Sequence, residues 1–395
     1  MKVLVVVGAR PNFMKAAPIL KAIRAFNSAH EWSEPMEPIL VHTGQHYDAQ
    51  MSDAFFADLE MPQPDVFLGA GSGSHAEQTA EIMKRFERVL LEQKPQALLV
   101  VGDVNSTLAC ALAAAKLPPR LKPLIAHVEA GLRSFDRAMP EEINRILTDQ
   151  ISDVLFVTEE SGLRHLQTEG IPRAKIHFVG NTMIDTLRAC ETRADLSTVL
   201  PRLGVTKREY ALLTLHRAAN VDDRDSFVEI LSGLRDLAAT QRVIFPAHPR
   251  TQKQIRDLGL ESFFAPAQGG GIAMVAPQPY LDFLCLMKNA RLVITDSGGI
   301  QEETTALGVP CVTVRDNTER PVTIELGSNV LAGTRCETIR QGIRLQLASR
   351  LKNAMPPLWD GRAAGRIIAV LANHLLPLVP VHLEDAAGQM QENAR

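Results

Sequence analysis

Residues 292–314 read LVITDSGGIQEETTALGVPCVTV. The apolar run 292–294 reads as a short strand, the small residues Ser297, Gly298 and Gly299 open a helix, and 311–314 reads as a second strand. Strands joined through a helix pair in parallel, because the helix carries the chain back along the sheet. The same alternation runs outward in both directions. In the second half, strands are expected at 211–215, 243–246, 272–275 and 329–331; in the first half, at 3–7, 38–42, 97–102, 123–128, 154–157 and 176–179. Residues 76–93 and 107–116 read as helices between them. The pattern predicts an α/β protein of two Rossmann-like domains, each an open parallel sheet wrapped by helices, facing across a cleft. A length of 395 residues also calls for two cores. The polar, arginine-rich stretch 182–207 separates the two series and reads as the linker, and the polar residues 381–395 read as a disordered tail.

Composition narrows the partners. With 46% hydrophobic and 22% charged residues and a net charge of −3, the chain has no general field for nucleic acid or an anionic membrane, so neither is expected. Cys110, Cys190, Cys285, Cys311 and Cys336 are scattered and odd in number. Neither a disulfide framework nor a zinc site follows, which points to a reducing, cytoplasmic setting and no metal. The opening MKVLVVV meets Gly8, Arg10 and Lys15 at once, too early for an export signal or a membrane span.

In open α/β sheets ligands bind beyond the carboxyl ends of the strands, and the unusual polar residues fall there. The first strand runs into GARPNFMK, which places Arg10 and Lys15 near a helix start, where an anion is favoured. Capping a surface loop is the other duty open to this basic pair. The segment is neither a Walker A loop nor GxGxxG, so no nicotinamide cofactor is expected. Asp103 ends VVGD and can either cap the following helix or do acid–base work. Glu141, after Pro140, can either favour a helix dipole or act on a substrate. Glu129 ends IAHVE with no evident structural duty, and carboxyls in contrasting environments are typical of acid–base sites.

In the second half LLTLHR places His216 and Arg217 at a strand end, and HPR does the same for His248 and Arg250, which also suit a helix cap. The backbone N–H groups opened by Ser297, Gly298 and Gly299 suit a diphosphate. Glu302 and Glu303 would repel phosphate there, so they suit sugar hydroxyls, commonly a ribose. RDNTERP brings Arg315, Glu319 and Arg320 beyond the next strand, and the apolar stretch 279–287 is either a base-binding surface or core.

Taken in order, GARPNFMKAAP, TGQHYD, VVGDVNSTLA, HVEAGLRS, MPEEINR, LTLHR, DSGGIQEE and RDNTERP resemble the non-hydrolysing UDP-N-acetylglucosamine 2-epimerases over about residues 1–375. The resemblance implies a glycosyltransferase-B type of fold. Its parts are a sugar-side domain at 1–185, a UDP-side domain at 186–365 and a helix at 366–380 crossing back to the first domain. It implies that Asp103, Glu129, Glu141 and His216 are catalytic. It assigns Arg10, Lys15, Gln278, Phe283, Ser297, Gly298, Gly299, Glu303 and Arg320 to substrate, with uracil near Gln278 and Phe283. It implies a homodimer, a UDP-sugar substrate and no cofactor. The chain departs from the family pattern at Asn12, where members often carry Glu, and at Ala218 and Ala219, where they often carry Arg and Glu. Four other readings are open: an epimerase of another UDP-sugar such as a 2,3-diacetamido uronic acid, a hydrolysing epimerase that releases free N-acetylmannosamine, a UDP-sugar glycosyltransferase of the same fold, and a non-catalytic sensor. The transferase needs an acceptor site and fewer carboxylates; the sensor would not need Asp103, Glu129 and Glu141.

Overall fold

Strands buried on both faces appear in sequence as near-continuous apolar runs, and these runs build the two sheets. The computed structural model describes residues 1–29, 34–45, 56–264, 270–348 and 354–375. The first sheet holds β1 (Lys2–Val7), β2 (Glu37–His42), β3 (Val66–Phe67), β4 (Ala97–Val101), β5 (Leu124–Ala130), β6 (Val154–Val157) and β7 (Ile176–Phe178). The second holds β8 (Tyr210–Thr214), β9 (Arg242–Pro246), β10 (Gly271–Val275), β11 (Leu292–Thr295), β12 (Cys311–Thr313) and β13 (Asn329–Leu331). Their orders are β3-β2-β1-β4-β5-β6-β7 and β10-β9-β8-β11-β12-β13, and the neighbours pair in parallel. Only β3 escaped the sequence reading: it is a two-residue edge strand, too short to show a period.

The helices over these sheets follow from their apolar faces. Residues His75–Gln93 start at a capping box between Ser74 and Glu77 and bury Ile82, Phe86 and Leu90. Asn105–Ala115 is built of small residues and is buried along most of its length, which lets it lie close on the sheet.

The chain splits into two compact units, Met1–Thr186 with Pro357–Arg395, and Leu187–Pro356. The boundary between the units, at Thr186 and Leu187, falls inside the stretch 182–207 read as the linker, in which Thr182–Asp195 and Val199–Leu203 are helical. Its arginines hide a helical period in which Met183, Ile184, Leu187, Cys190 and Ala194 are buried. Residues 357–365, expected in the second domain, group with the first unit, and the last described helix starts at Ala363 rather than 366. The Trp359 indole donates to Thr158 O at 2.9 Å, and Asp185 accepts from Ala363 N and Ala364 N at 3.1 and 2.7 Å, capping that helix. The tail 381–395 lies outside the described residues.

In each sheet the strand order reverses direction once in the same way, between β1 and β4 and between β8 and β11. Connections leave to opposite faces at such a point and open a crevice at the strand ends. The residues just past those four strands are Gly8–Arg10, Gly102–Asp103, Leu215–Arg217 and Asp296–Ser297.

Candidate active site

In the first unit, β1 and β4 are tied together at their ends by Asn12. Its Oδ1 accepts from Gly8 N and Ala9 N at 3.1 and 3.0 Å, and its Nδ2 donates to Val101 O at 2.9 Å. The neutral amide therefore has a structural duty. One turn further along the same helix, Lys15 is buried and its Nζ lies 2.7 Å from Glu129 Oε1. It does not cap a surface loop.

Glu129 has an unusual backbone. The pairing of β5 with β6 shifts register between Val128 and Ala130, and Glu129 adopts φ +73°. A bulge inserts a residue and re-aims its side chain, and a non-glycine residue in the left-handed region is uncommon. Gly102 lies beside the pair: a Cβ there would sit 2.9 Å from Lys15 Nζ and 3.9 Å from Glu129 Oε1, so only glycine leaves the ammonium its place.

Asp103 follows that glycine. Its helix is capped at Val104 without a side-chain bond, while Asp103 Oδ2 accepts from Arg145 Nε at 3.0 Å. Arg145 is itself buried and also donates to Glu142, which receives Ser134 N and Phe135 N at 3.0 and 2.9 Å. Glu141 sits in the first turn of the same helix, Pro140–Ile151, partly exposed. Thus one helix presents Glu141 and anchors Asp103 through Arg145. Arg10 opens the helix Arg10–Ala29, and its side chain lies outside the described part.

The second unit builds its site on Asp296 at the end of β11. The buried carboxylate accepts from His216 N, Arg217 N at 2.9 Å and Asn220 Nδ2 at 3.1 Å, and His216 Nδ1 lies 2.8 Å from Oδ1. Burial pushes the Asp296 carboxyl up, but the His216 charge and these hydrogen bonds outweigh it and hold it below its ordinary value. Asp296 thereby fixes the His216 backbone and ring, leaving the imidazole 59% exposed.

Ser297 caps the helix Gly298–Leu307, whose first turn presents backbone N–H groups from Gly298 and Gly299. A Cβ at Gly298 would meet Arg320 Nη1 at 2.4 Å, so the guanidinium lies directly over the helix start. Arg320 is held there by Glu302, 2.9 Å from Nε, and by Glu319, which also receives Arg315 at 2.7 Å. Glu302 therefore serves Arg320 and not a sugar hydroxyl. Glu303 is fully buried, and burial pushes its carboxyl up to about 8, although the Tyr280 hydroxyl donates to Oε1 at 3.0 Å. Gln278 accepts from Arg202 at 2.7 Å, and Phe283 is half-buried on the Tyr280–Asn289 helix, the helix whose Tyr280 reaches Glu303. His248 caps the helix Pro249–Asp257, the plainer of its two readings.

The structure thus gathers Lys15, Glu129 and Asp103 around one set of turns, with Glu141 on the helix that anchors Asp103, and His216, Ser297, Gly298, Gly299 and Arg320 around another. Sequence reasoning passed over Asn12, Arg145, Asp296 and Tyr280 as participants. Arg145 had a signal, its i+3 spacing from Glu142, which it meets; Tyr280 had none, because its partner is 23 residues away.

A family model described as UDP-N-acetylglucosamine 2-epimerase matches residues 29–372. The UDP-N-acetylglucosamine 2-epimerase of Methanocaldococcus jannaschii is 41% identical over 377 residues, covering 94% of this chain and 99% of that protein. A UDP-2,3-diacetamido-2,3-dideoxy-D-glucuronate 2-epimerase of Pseudomonas aeruginosa is 40% identical over 376 residues, with 94% and 99% covered. The crystal structure of the M. jannaschii enzyme in complex with UDP-GlcNAc and UDP is similar with a TM-score of 0.85 at 41% identity, covering 94% of this chain and 99% of that one.

Proposed function

The chain belongs to the UDP-N-acetylglucosamine 2-epimerase family, and on that premise we propose that it interconverts UDP-N-acetylglucosamine and UDP-N-acetylmannosamine by eliminating UDP and adding it back. It is an isomerase. The observation that carries the reading is Glu129: a buried carboxylate on a strand bulge at φ +73°, paired with Lys15, beside the turn that bears Asp103.

The hydrogen on carbon 2 of an N-acetylhexosamine is not acidic, so direct abstraction is slow. Lengthening the bond from carbon 1 to the β-phosphate oxygen builds oxocarbenium character, which acidifies it. The bond's electron pair leaves with UDP; His216 and the helix start at Ser297 stabilise the departing diphosphate. A carboxylate among Asp103, Glu129 and Glu141 takes the proton, and the released pair forms the double bond of 2-acetamidoglucal. Return of a proton to the opposite face of carbon 2, with attack of the UDP oxygen on carbon 1, completes the inversion. Glu303 and Arg320 hold the nucleotide, and Gln278 and Phe283 flank its base.

A second reading has one observation in its favour: the relative named for a diacetamido uronate is nearly as similar as those named for UDP-N-acetylglucosamine. Incubating the protein separately with UDP-N-acetylglucosamine and with UDP-2,3-diacetamido-2,3-dideoxy-D-glucuronate, and resolving epimers by chromatography, decides between them. Turnover of the first alone supports the proposal; turnover of the second alone replaces the substrate; turnover of neither sinks both.

A further inference from the structure

His127 lies inside β5 with no exposed surface, and both of its ring nitrogens face acceptors. Nδ1 is 2.7 Å from Asp149 Oδ1, and Nε2 is 2.8 Å from the carbonyl oxygen of Gly102. A neutral imidazole donates from only one nitrogen; the other would bring its lone pair against an oxygen lone pair in a dry interior. Turning the ring over does not help, because it presents carbon to both oxygens. Moving the proton to Asp149 is also opposed. That carboxylate already receives Gly131 N at 3.1 Å and Arg133 at 2.7 Å. Burial alone pushes it up, but His127 and Arg133 together hold it below its ordinary value.

The partners of this couple sit at two of the turns that matter. Gly102 immediately precedes Asp103; its N–H donates to Val128 O at 3.0 Å, and its carbonyl oxygen, on the peptide that leads into Asp103, faces His127 Nε2. Gly131, at φ +82°, follows the bulge at Glu129, and Asp149 holds its N–H. Asp149 itself lies on the Pro140–Ile151 helix, which carries Glu141. One hydrogen-bonded unit therefore reaches all three segments that bear the carboxylates.

We propose that His127 carries a hydrogen on both ring nitrogens and, with Asp149, is the positioning couple that sets the turns bearing Asp103 and Glu129. It touches no substrate; it acts by holding the backbone on either side of the acid–base groups. The inference rests on the epimerase reading for its kinetic readout only.

Two experiments on the full chain test it. Neutron diffraction from crystals of the wild-type protein should show deuterium on both Nδ1 and Nε2 of His127; a bare nitrogen overturns the proposal, whatever the enzyme's substrate and whether or not any variant folds. His127→Gln and Asp149→Asn should each lower kcat, by about 10²-fold for a displacement near 1 Å, with KM for UDP-N-acetylglucosamine and the calorimetric affinity for UDP unchanged. Unchanged kcat overturns the proposal, as does a parallel collapse of KM and UDP affinity, which marks general damage. Failure of the wild-type protein to epimerise the sugar would instead count against the function, leaving the neutron result to stand alone.

Discussion

Lys15 Nζ and Glu129 Oε1 meet at 2.7 Å across 114 residues of sequence, with both side chains buried. Each charge offsets part of the cost of taking the other out of water. Lys15→Met should therefore remove a counter-charge from a buried carboxylate and cost about 3–5 kcal/mol of stability, the usual result of breaking one side of a buried pair. Urea titration of the variant against wild type measures it. A loss no larger than that of an exposed pair, about 1 kcal/mol or less, would mean that the pair is solvated in solution.

Glu129→Gln keeps the shape and removes the charge. Turnover should fall by about 10²–10⁴-fold, the span for loss of a positioned acid or base, while UDP affinity stays close to wild type, because the nucleotide-side residues belong to the other unit. Steady-state kinetics paired with calorimetry separates the two quantities. A variant that no longer binds UDP contradicts the assignment of Glu129 to the sugar.

Arg320 and Ser297 make unequal probes of the nucleotide site. Arg320 balances the buried carboxylates Glu302 and Glu319, so Arg320→Ala should weaken UDP binding and lower stability together. Ser297 caps its helix without a side-chain hydrogen bond, so Ser297→Ala should lower UDP affinity by about 0.5–1.5 kcal/mol, one neutral hydrogen bond, with stability intact. Calorimetry and thermal unfolding on both variants check this. Equal stability losses would contradict the proposed role of Arg320 as the counter-charge.

Glu303 gives a pH signature. Burial raises its carboxyl from 4.5 to about 8, so between those values the folded form keeps a proton that the unfolded form has released. The associated stability is complete below about pH 4.5 and is lost as pH rises through about 8, after which it levels off. Asp185, raised by burial from 3.8 to about 6, acts in the same direction over a lower window. Urea midpoints of wild type and Glu303→Gln from pH 5 to 9 should therefore converge on a shared slope only above about 8. Parallel curves across the whole range would show that Glu303 ionises normally.

The fold was legible because strands covered by helices on both faces need apolar side chains on both faces, and runs such as 3–7 and 292–294 stand out from their surroundings. The helix Thr182–Asp195 was not, because its arginines and acids mask the period of Met183, Leu187, Cys190 and Ala194. At the site, Asp103, Glu129 and His216 declared themselves by following apolar strands. The groups that hold them did not. His127 sits within an apolar strand and looks like core until Asp149, 22 residues on, is brought beside it. Asp296 reads as the last residue of a strand, and only the fold reveals that it aligns His216 from 80 residues away. Local pattern reports which residues lie at strand ends; the partners that orient them are set by tertiary contact.

The proposed reaction is an elimination that breaks the carbon 2–hydrogen bond. The most direct test is NMR of UDP-N-acetylglucosamine incubated with the purified protein in heavy water, with neither nicotinamide nor metal added. UDP-N-acetylmannosamine carrying deuterium at carbon 2 is expected, with deuterium also entering recovered substrate as the reaction reverses; an epimer without solvent deuterium would mark a single base shielded from solvent. Transfer of the sugar to an added acceptor, with no epimer formed, would contradict the elimination.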